Sequence, residues 1–374
     1  MNKLGFGLMR LPWSEDKTWN NIDLEKTREM VDAYMAKGFS YFDTAWVYHG
    51  GMSERVFGEL VAKHYPRESF QVTTKMPLWD VKTEADLDRI FEEQLKKCCV
   101  DYLDYYFLHA MGKDRFEYAE KLHAFEWMQK KKAEGKILHP GFSFHDSPEV
   151  LEWALSRHHK EVELIQLQIN YIDWESYDVA SRRCYEIAAG KYNKWISVME
   201  PLKGGSLANV TPAAAEILKG RQKDLSIASW GIRYAASLEN VIVVLSGMSN
   251  MEQLKDNMSY MENFESLAKD ELVAVEKAGE IIKNSILVPC TGCRYCTDES
   301  NGGCPMKINI PEFFKLYNAQ NQYSLSDGLK WNFKEACKKG GSPADCIGCG
   351  HCEGHCPQKI QIISELQKVR EVFA

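Results

Sequence analysis

The sequence predicts an α/β protein: a (β/α)8 barrel followed by a small helical, cysteine-rich domain. Three observations carry that prediction. Apolar strand-like segments alternate with amphipathic helical segments through eight units, and such alternation implies parallel strands that close into a barrel at eight. A chain of 374 residues leaves room for a barrel of about 250 and a smaller unit beyond it. Of its 12 cysteines, nine fall after residue 289, where the pattern turns short and glycine-rich.

Residues 4–11 are apolar and glycine-punctuated, which predicts a first strand or a short hairpin closing the barrel floor. Helical periodicity over 23–37 stops at Gly38, a good C-terminal signal. Strands are then expected at 41–45, 70–75, 102–109, 137–145, 162–171, 196–202 and 241–247. The helices expected between and after them cover 53–65, 84–100, 117–136, 148–159, 174–191, 225–238 and 251–262. A charged helix over 266–285 leads into the different composition beyond Pro289, which places a boundary near 285–289. The barrel is thus assigned 1–285 and the second domain 286–374, with helical pieces at 310–320 and 360–372. Cys98, Cys99 and Cys184 lie within amphipathic helical patterns and read as core thiols.

Hydrophobic content of 45% and charged content of 26% belong to a globular chain able to bury a full core. A net charge of -7 argues against a nucleic-acid or anionic-membrane partner. No apolar run suits a signal peptide or a membrane span, so a cytoplasmic location is expected. The sequence leaves the oligomeric state open.

Residues at the C-terminal ends of successive predicted strands carry the chemistry. Asp43 closes the second strand, with Tyr48 in the loop beyond it; Lys75 closes the third and His109 the fourth. Strand ends on that face of a barrel are rigid and support variable loops, which is where catalytic groups are placed. Each of the four has a bland alternative: a structural ion pair, a packed tyrosine or a satisfied histidine. Together they fit one task. An ammonium beside a phenol lowers its pKa, a carboxylate holds the ammonium charged, and a histidine polarises a carbonyl or shares its proton. The product is a general acid poised to protonate a developing alkoxide. Trp13, Trp46, Trp79, Tyr171 and Trp174 lie near predicted strand exits and read either as packing residues or as an aromatic wall for a ring-bearing substrate.

Over residues 4–262 the sequence resembles the aldo-keto reductase family. The likeness rests on Asp43-Thr44-Ala45 with Tyr48, Lys75, Leu108-His109, Gly141-Phe142-Ser143, Gln166 with Asn170-Tyr171, Pro201-Leu202, and Gln253 with Asn257. The resemblance implies a barrel that binds NADH or NADPH across its C-terminal face and reduces a small-molecule carbonyl substrate. Tyr48 is then the proton donor, supported by Asp43, Lys75 and His109. The implied cofactor-binding residues are Met9, Arg10, Ser143 and Gln166, followed by Met199, Pro201, Leu202 and Gly204, and by Gly247, Gln253 and Asn257. Ser143 and Gln166 are implied to hold the carboxamide, and residues 246–257 the adenosine end. Departures are visible: Met199 stands where the family commonly stacks an aromatic ring, and Phe144 where it has asparagine. Residues 246–253 contain no Arg or Lys, so a 2′-phosphate lacks its usual charged partner there. NADH use or dual use follows, unless Lys203 or Lys255 reaches in from the side.

The second signal is the run from Cys346 to Pro357, the C-x2-C-x2-C-x3-C-P spacing of a bacterial ferredoxin. A related copy begins at Cys290, with Cys304-Pro305 delayed by a longer gap. In two-cluster ferredoxins the cysteine before proline serves the opposite cluster. That assigns Cys290, Cys293, Cys296 and Cys356 to one [4Fe-4S] cluster, and Cys346, Cys349, Cys352 and Cys304 to another, with Cys337 left over. Paired C-x2-C also suits zinc, which remains the alternative. Both halves together resemble the ferredoxin-containing aldo-keto reductases of anaerobes. A hydride carries two electrons and a cubane accepts one, so the clusters are expected either to be structural or regulatory, or to exchange single electrons with a further cofactor, a substrate or an electron-transfer partner. The alternative to a carbonyl reductase is an electron-transfer or redox-sensing protein that binds nucleotide and turns over little.

Overall fold

The computed structural model describes residues 2–14, 21–176, 179–298, 302–323 and 327–373. Eight strands form a closed parallel barrel in sequence order. They are β1 (Leu4–Gly7), β2 (Tyr41–Asp43), β3 (Gln71–Met76), β4 (Leu103–Met111), β5 (Ile137–Phe144), β6 (Leu164–Gln168), β7 (Trp195–Met199) and β8 (Val241–Ser246). Leu4 pairs with Val244, so β1 and β8 close the barrel. Residues 4–11 therefore supply a barrel strand, not a floor hairpin, and the chain leaves it through a short turn at Leu8–Arg10.

Side chains alternate across a strand with period two, so inward positions recur at every second residue. At the barrel floor these are Tyr41, Tyr105, Phe107, Leu164, Val243 and Leu245, which pack as one buried cluster. The next inward positions on β2, β4 and β6 are Asp43, His109 and Gln166, and Lys75 of β3 pairs in register with Phe107; all four polar residues are buried. The barrel is thus mainly aromatic and aliphatic below, and polar at its C-terminal mouth.

Between the strands run α1 (Leu24–Ala36), α2 (Ser53–Phe57), α3 (Glu84–Cys98), α4 (Lys113–Lys121), α5 (Ala124–Ala133), α6 (Pro148–His158) and α7 (Ser181–Tyr185). Asp23 caps α1 by accepting from the Lys26 amide, and Ser147 caps α6 in the same way from Val150. The single helix expected over 117–136 is two, because His123 takes a left-handed conformation (φ 47°) between α4 and α5. Only part of the helix expected over 174–191 is regular: α7 passes into a π-helical turn at Glu186–Lys191, and residues 177–178 lie outside the described residues. Cys98 and Cys184 are buried as expected, but Cys99 is an exposed left-handed cap ending α3 (φ 54°).

Further helices are α8 (Pro212–Lys219), α9 (Ile227–Ala236), α10 (Met251–Met261), α11 (Lys269–Ser285), α12 (Ile310–Tyr323), α13 (Asp327–Lys338), α14 (His351–Gly354) and α15 (Ile362–Phe373). No helix is expected from the sequence pattern at α8 or α13. The chain forms two compact units: residues 1–201 with 229–267, and residues 202–228 with 268–374. The stretch after β7 thus groups with the cysteine-rich segment. In that second unit Ile308, Ile310, Phe313, Phe314, Leu366 and Val369 form a buried core with Cys296 and Cys352, against which Cys290, Cys304, Cys337, Cys346 and Cys356 pack. Among the described residues no helix is long and apolar enough to cross a membrane.

Candidate active site and cysteine cavities

Four side chains predicted at successive strand ends meet at the barrel mouth. Lys75 Nζ donates to Asp43 Oδ1 at 2.7 Å, to the Thr44 carbonyl at 2.8 Å and to Tyr48 Oη at 3.3 Å. His109 completes the group, its ring lying edge-on to Tyr48 with centroids 6.2 Å apart. Burial pushes the Asp43 carboxyl up and the Lys75 ammonium down, and each opposes the other's shift. Burial also holds His109 well below its ordinary value, with Lys75 adding to the effect, so its imidazole is neutral near pH 7. Its Nδ1 is buried without a hydrogen-bond partner.

Tyr48 departs from expectation. Burial raises its phenol well above the usual range, and the carboxylates of Asp43 and Glu200 add to the rise. The resting state is a protonated phenol whose oxygen already accepts from Lys75. Since the ammonium occupies that lone pair, the hydroxyl hydrogen points elsewhere and is available to an incoming acceptor.

The residues that the resemblance implied for the cofactor are placed as follows. Ser143, buried on β5, accepts from the Ala110 amide at 2.7 Å. Gln166 donates to Asp43 Oδ2 at 3.2 Å and to Ser197 Oγ at 3.4 Å, so its amide supports the carboxylate. Gln168, not among the residues expected from the sequence, is the last residue of β6, pairs in register with Met199 and donates to Asp173 Oδ2 at 2.8 Å. Met9 and Arg10 stand in the turn after β1. A Cβ at Gly247 would meet Arg10 Cδ at 2.9 Å, so a basic side chain lies against residues 246–253 despite their lack of one. Asn257 fastens α10 to β8, donating to Ser246 Oγ at 2.7 Å, while Gln253 accepts from the Ser249 amide at 2.8 Å. Pro201 follows β7, and Leu202 and Gly204 belong to the second unit. A neutral imidazole with an unpartnered nitrogen, beside a phenol held by an ammonium, suits a carbonyl and the reacting end of a nicotinamide.

Behind Lys75 lies a buried carboxylate that sequence patterning placed only inside a helix. Glu54 Oε1 accepts from Thr74 Oγ1 at 2.6 Å and Gln94 Nε2 at 2.7 Å, and Lys97 stands 3.7 Å from Oε2. Gln94 also donates to the Lys75 carbonyl at 2.9 Å. Replacing Glu54 by Ala takes the buried acceptor from Thr74 Oγ1 and one from Gln94 Nε2, while Lys97 keeps Glu93 at 3.1 Å. An anaerobic urea titration is expected to show a loss of about 3 kcal/mol, and Glu54→Gln, which still accepts from Thr74 and Gln94, a smaller one.

In the second unit two cavities are walled by cysteines. One is lined by Cys304, Cys346, Cys349 and Cys352. The other is lined by Cys290, Cys293, Cys296 and Cys356. Ile310 lines both cavities. A single zinc ion, with bonds of about 2.3 Å, draws its sulfurs together around no cavity, whereas a cubane occupies one. The donor sets therefore fit iron–sulfur clusters. Part of the longer gap before Cys304, residues 299–301, lies outside the described residues.

The backbone approaches most closely at Gly204. Its φ is +67°, and a Cβ there would sit 1.9 Å from the Thr291 carbonyl, beside Cys290. Gly205 shares the unusual backbone (φ +98°) with open space around it. Gly204→Ala is expected to lower iron content after anaerobic purification, because Thr291 must move. Gly205→Ala incurs only the backbone strain and should keep most of its iron.

Residues 3–280 match the model of the aldo/keto reductase family, and residues 289–361 match a 4Fe-4S dicluster domain. Among curated proteins, the chain is 23% identical over 304 residues to the uncharacterized oxidoreductase YqkF of Bacillus subtilis, covering 74% of this chain and 92% of that one. It is 24% identical over 270 residues to L-galactose dehydrogenase of Arabidopsis thaliana, covering 66% and 82%. An aldo-keto reductase from Klebsiella pneumoniae, solved in complex with NADPH, superposes with a TM-score of 0.59 at 20% identity, over 75% of this chain and 91% of that one. The holo form of an aldo-keto reductase from Bacillus halodurans gives 0.59 at 21% identity, over 74% and 91%. These structural likenesses show the shared barrel fold.

Proposed function

Because the chain belongs to the aldo/keto reductase family, and is thus an oxidoreductase of that kind, we propose that it reduces an aldehyde or ketone to an alcohol with NADH or NADPH. The observation that carries this reading is the position of Lys75 Nζ, in contact with both Asp43 and the oxygen of Tyr48. A bound dihydronicotinamide supplies the hydride to the carbonyl carbon. Tyr48 gives its proton to the carbonyl oxygen, and the Lys75 ammonium stabilises the phenolate left behind. Neutral His109 orients the carbonyl by hydrogen bonding. Gln166 and Asp43 keep the ammonium in place, and Gln168, beside Met199, is the side chain we assign to the carboxamide. Arg10, against Gly247, is the cation we assign to a 2′-phosphate, which would admit NADPH beside NADH. The test is anaerobic oxidation of NADH or NADPH dependent on an added aldehyde, with the wild type and Tyr48→Phe compared.

The two cysteine cavities are assigned to two [4Fe-4S] clusters. Cys349 is exposed and Ile347 between it and Cys346 is 64% exposed, so one cluster loop reaches solvent. That exposure supports a second reading, in which the domain exchanges single electrons with another redox protein. Reduction of the clusters by NADH in the absence of any carbonyl compound, followed by rapid mixing and visible absorbance, would favour it over a purely structural role.

A further inference from the structure

Tyr48 and Lys75 reach each other from different pieces of chain. Lys75 belongs to β3, a strand held in register by β2 on one side and β4 on the other. Tyr48 lies in the loop beyond β2, and the backbone after it is unusual: His49, Gly50 and Gly51 are all left-handed, with φ of 52°, 61° and 87°. The contact from Lys75 Nζ to Tyr48 Oη, at 3.3 Å, is also longer than those from the same nitrogen to Asp43 and the Thr44 carbonyl. The proposed reaction depends on that contact, so whatever ties the loop to β3 governs it.

The tie is made in the first turn of α2, where Glu54 is fully buried. Its Oε1 accepts from Thr74 Oγ1 of β3 at 2.6 Å and from Gln94 Nε2 of α3 at 2.7 Å. Both donors adjoin Lys75: Thr74 precedes it in the strand, and the same Gln94 nitrogen donates to the Lys75 carbonyl at 2.9 Å. Gln94 is itself anchored, its Oε1 accepting from Tyr106 Oη of β4 at 2.6 Å. One carboxylate oxygen thus couples the helix after Tyr48 to the backbone that carries Lys75. Two further contacts hold the same loop. Lys97 Nζ of α3 lies over the Trp46 ring, 3.4 Å from its centroid, and Ser53 Oγ is 2.7 Å from Thr44 Oγ1. Neighbouring residues of a strand face opposite sides, so with Lys75 turned into the mouth, Thr74 and its partner Glu54 lie behind the barrel wall. Glu54 therefore acts on the reaction through other residues.

We infer that Glu54 is a positioning residue for the reduction: its Oε1, through Thr74 and Gln94, holds the Tyr48 phenol against the Lys75 ammonium. This deepens the carbonyl-reductase reading and rests on it. What Glu54 supplies is reach, an acceptor at the end of two methylene groups. Its charge is the smaller part. Burial lowers the Lys75 ammonium, and Asp43, at 2.7 Å, opposes that more strongly than Glu54 does. Proton transfer from Tyr48 leaves a phenolate that the ammonium must stabilise. A loop that slips from β3 therefore loses rate at the chemical step and keeps its affinity for cofactor.

The test separates reach from charge. Glu54→Asp keeps the charge and withdraws the acceptor by one methylene; Glu54→Gln loses the charge and keeps a carbonyl acceptor at full length. The readout is anaerobic single-turnover oxidation of NADH or NADPH, with benzaldehyde as the probe. Glu54→Asp is expected to slow the hydride step by about tenfold or more, the scale of a misplaced group, with cofactor affinity within about twofold and Glu54→Gln within about threefold of wild type. Combination with Tyr48→Phe gives a readout that a purely structural role does not move. The residual rate of Tyr48→Phe should fall no further on adding Glu54→Asp, because the phenol being positioned is gone. Equal factors in the two backgrounds, or a Gln variant slower than the Asp variant, overturn the inference. Should Glu54→Asp fail to fold, Thr74→Val removes one of the two donors: a slower hydride step that vanishes in the Tyr48→Phe background supports the role, and an unchanged rate refutes it. If wild type does not reduce benzaldehyde, the reaction reading fails separately and crystal structures of wild type and the two Glu54 variants decide. Withdrawal of Tyr48 Oη from Lys75 Nζ in Glu54→Asp alone supports positioning, and any other pattern refutes it.

Discussion

Tyr48→Phe is expected to lose about a thousandfold in aldehyde turnover, the scale of a positioned general acid, while affinity for NADH or NADPH changes by less than about twofold. The substitution removes one oxygen from a buried site and leaves Lys75 bonded to Asp43 and the Thr44 carbonyl. Folding and cofactor binding should therefore survive, and a stopped-flow titration of cofactor fluorescence checks that arm. The pH dependence gives an independent readout. Since burial keeps the Tyr48 phenol protonated and His109 neutral, kcat/KM for reduction should stay level between about pH 6 and pH 9. A decline centred near pH 7 would mean that another group donates the proton. Retention of most turnover in Tyr48→Phe would place the chemistry elsewhere in the mouth.

The strand order and the Asp43, Tyr48, Lys75 and His109 set were legible because both depend on local pattern. Inward positions recur every second residue, so a polar residue ending an apolar strand marks the mouth. The cysteine groupings were equally legible, since ferredoxin spacing states which sulfurs face together. Three kinds of feature were not. Glu54 looked like a helix residue, because its burial depends on Thr74 and Gln94 from β3 and α3, contacts far away in sequence. The basic residue against Gly247 comes from the other end of the chain, as Arg10, so a window over 246–253 misses it. Proton affinity failed for a different reason: an ammonium beside Tyr48 was readable, but the loss of water that outweighs it is a property of the closed fold. Helix breaks at His123 and Cys99 were hidden because non-glycine left-handed caps leave little trace in composition.

Single replacement of Cys293 or Cys304 by Ser should each lower iron from about eight to about four per chain under strict anaerobiosis, and the double variants discriminate between pairings. Cys293 shares its cavity with Cys356, and Cys304 shares the other with Cys346, Cys349 and Cys352. If each cavity holds one cubane, Cys293→Ser with Cys356→Ser damages the same cluster twice and should retain about four irons. Cys293→Ser with Cys304→Ser damages both and should retain almost none. Pairing along the sequence, with Cys304 closing the Cys290 run, predicts the reverse for the two doubles. Non-additivity thus reports which sulfurs share a body without requiring either cluster to be redox-active. The same variants bear on stability, because Ile310 lines both cavities and lies in the shared core of the second unit. Loss of one cluster should leave the other half of that core intact, and loss of both should unfold it. Barrel turnover in the double variant that keeps about four irons then separates an electron-carrying role from a structural one. Unchanged aldehyde reduction there means the hydride chemistry proceeds without the missing cluster.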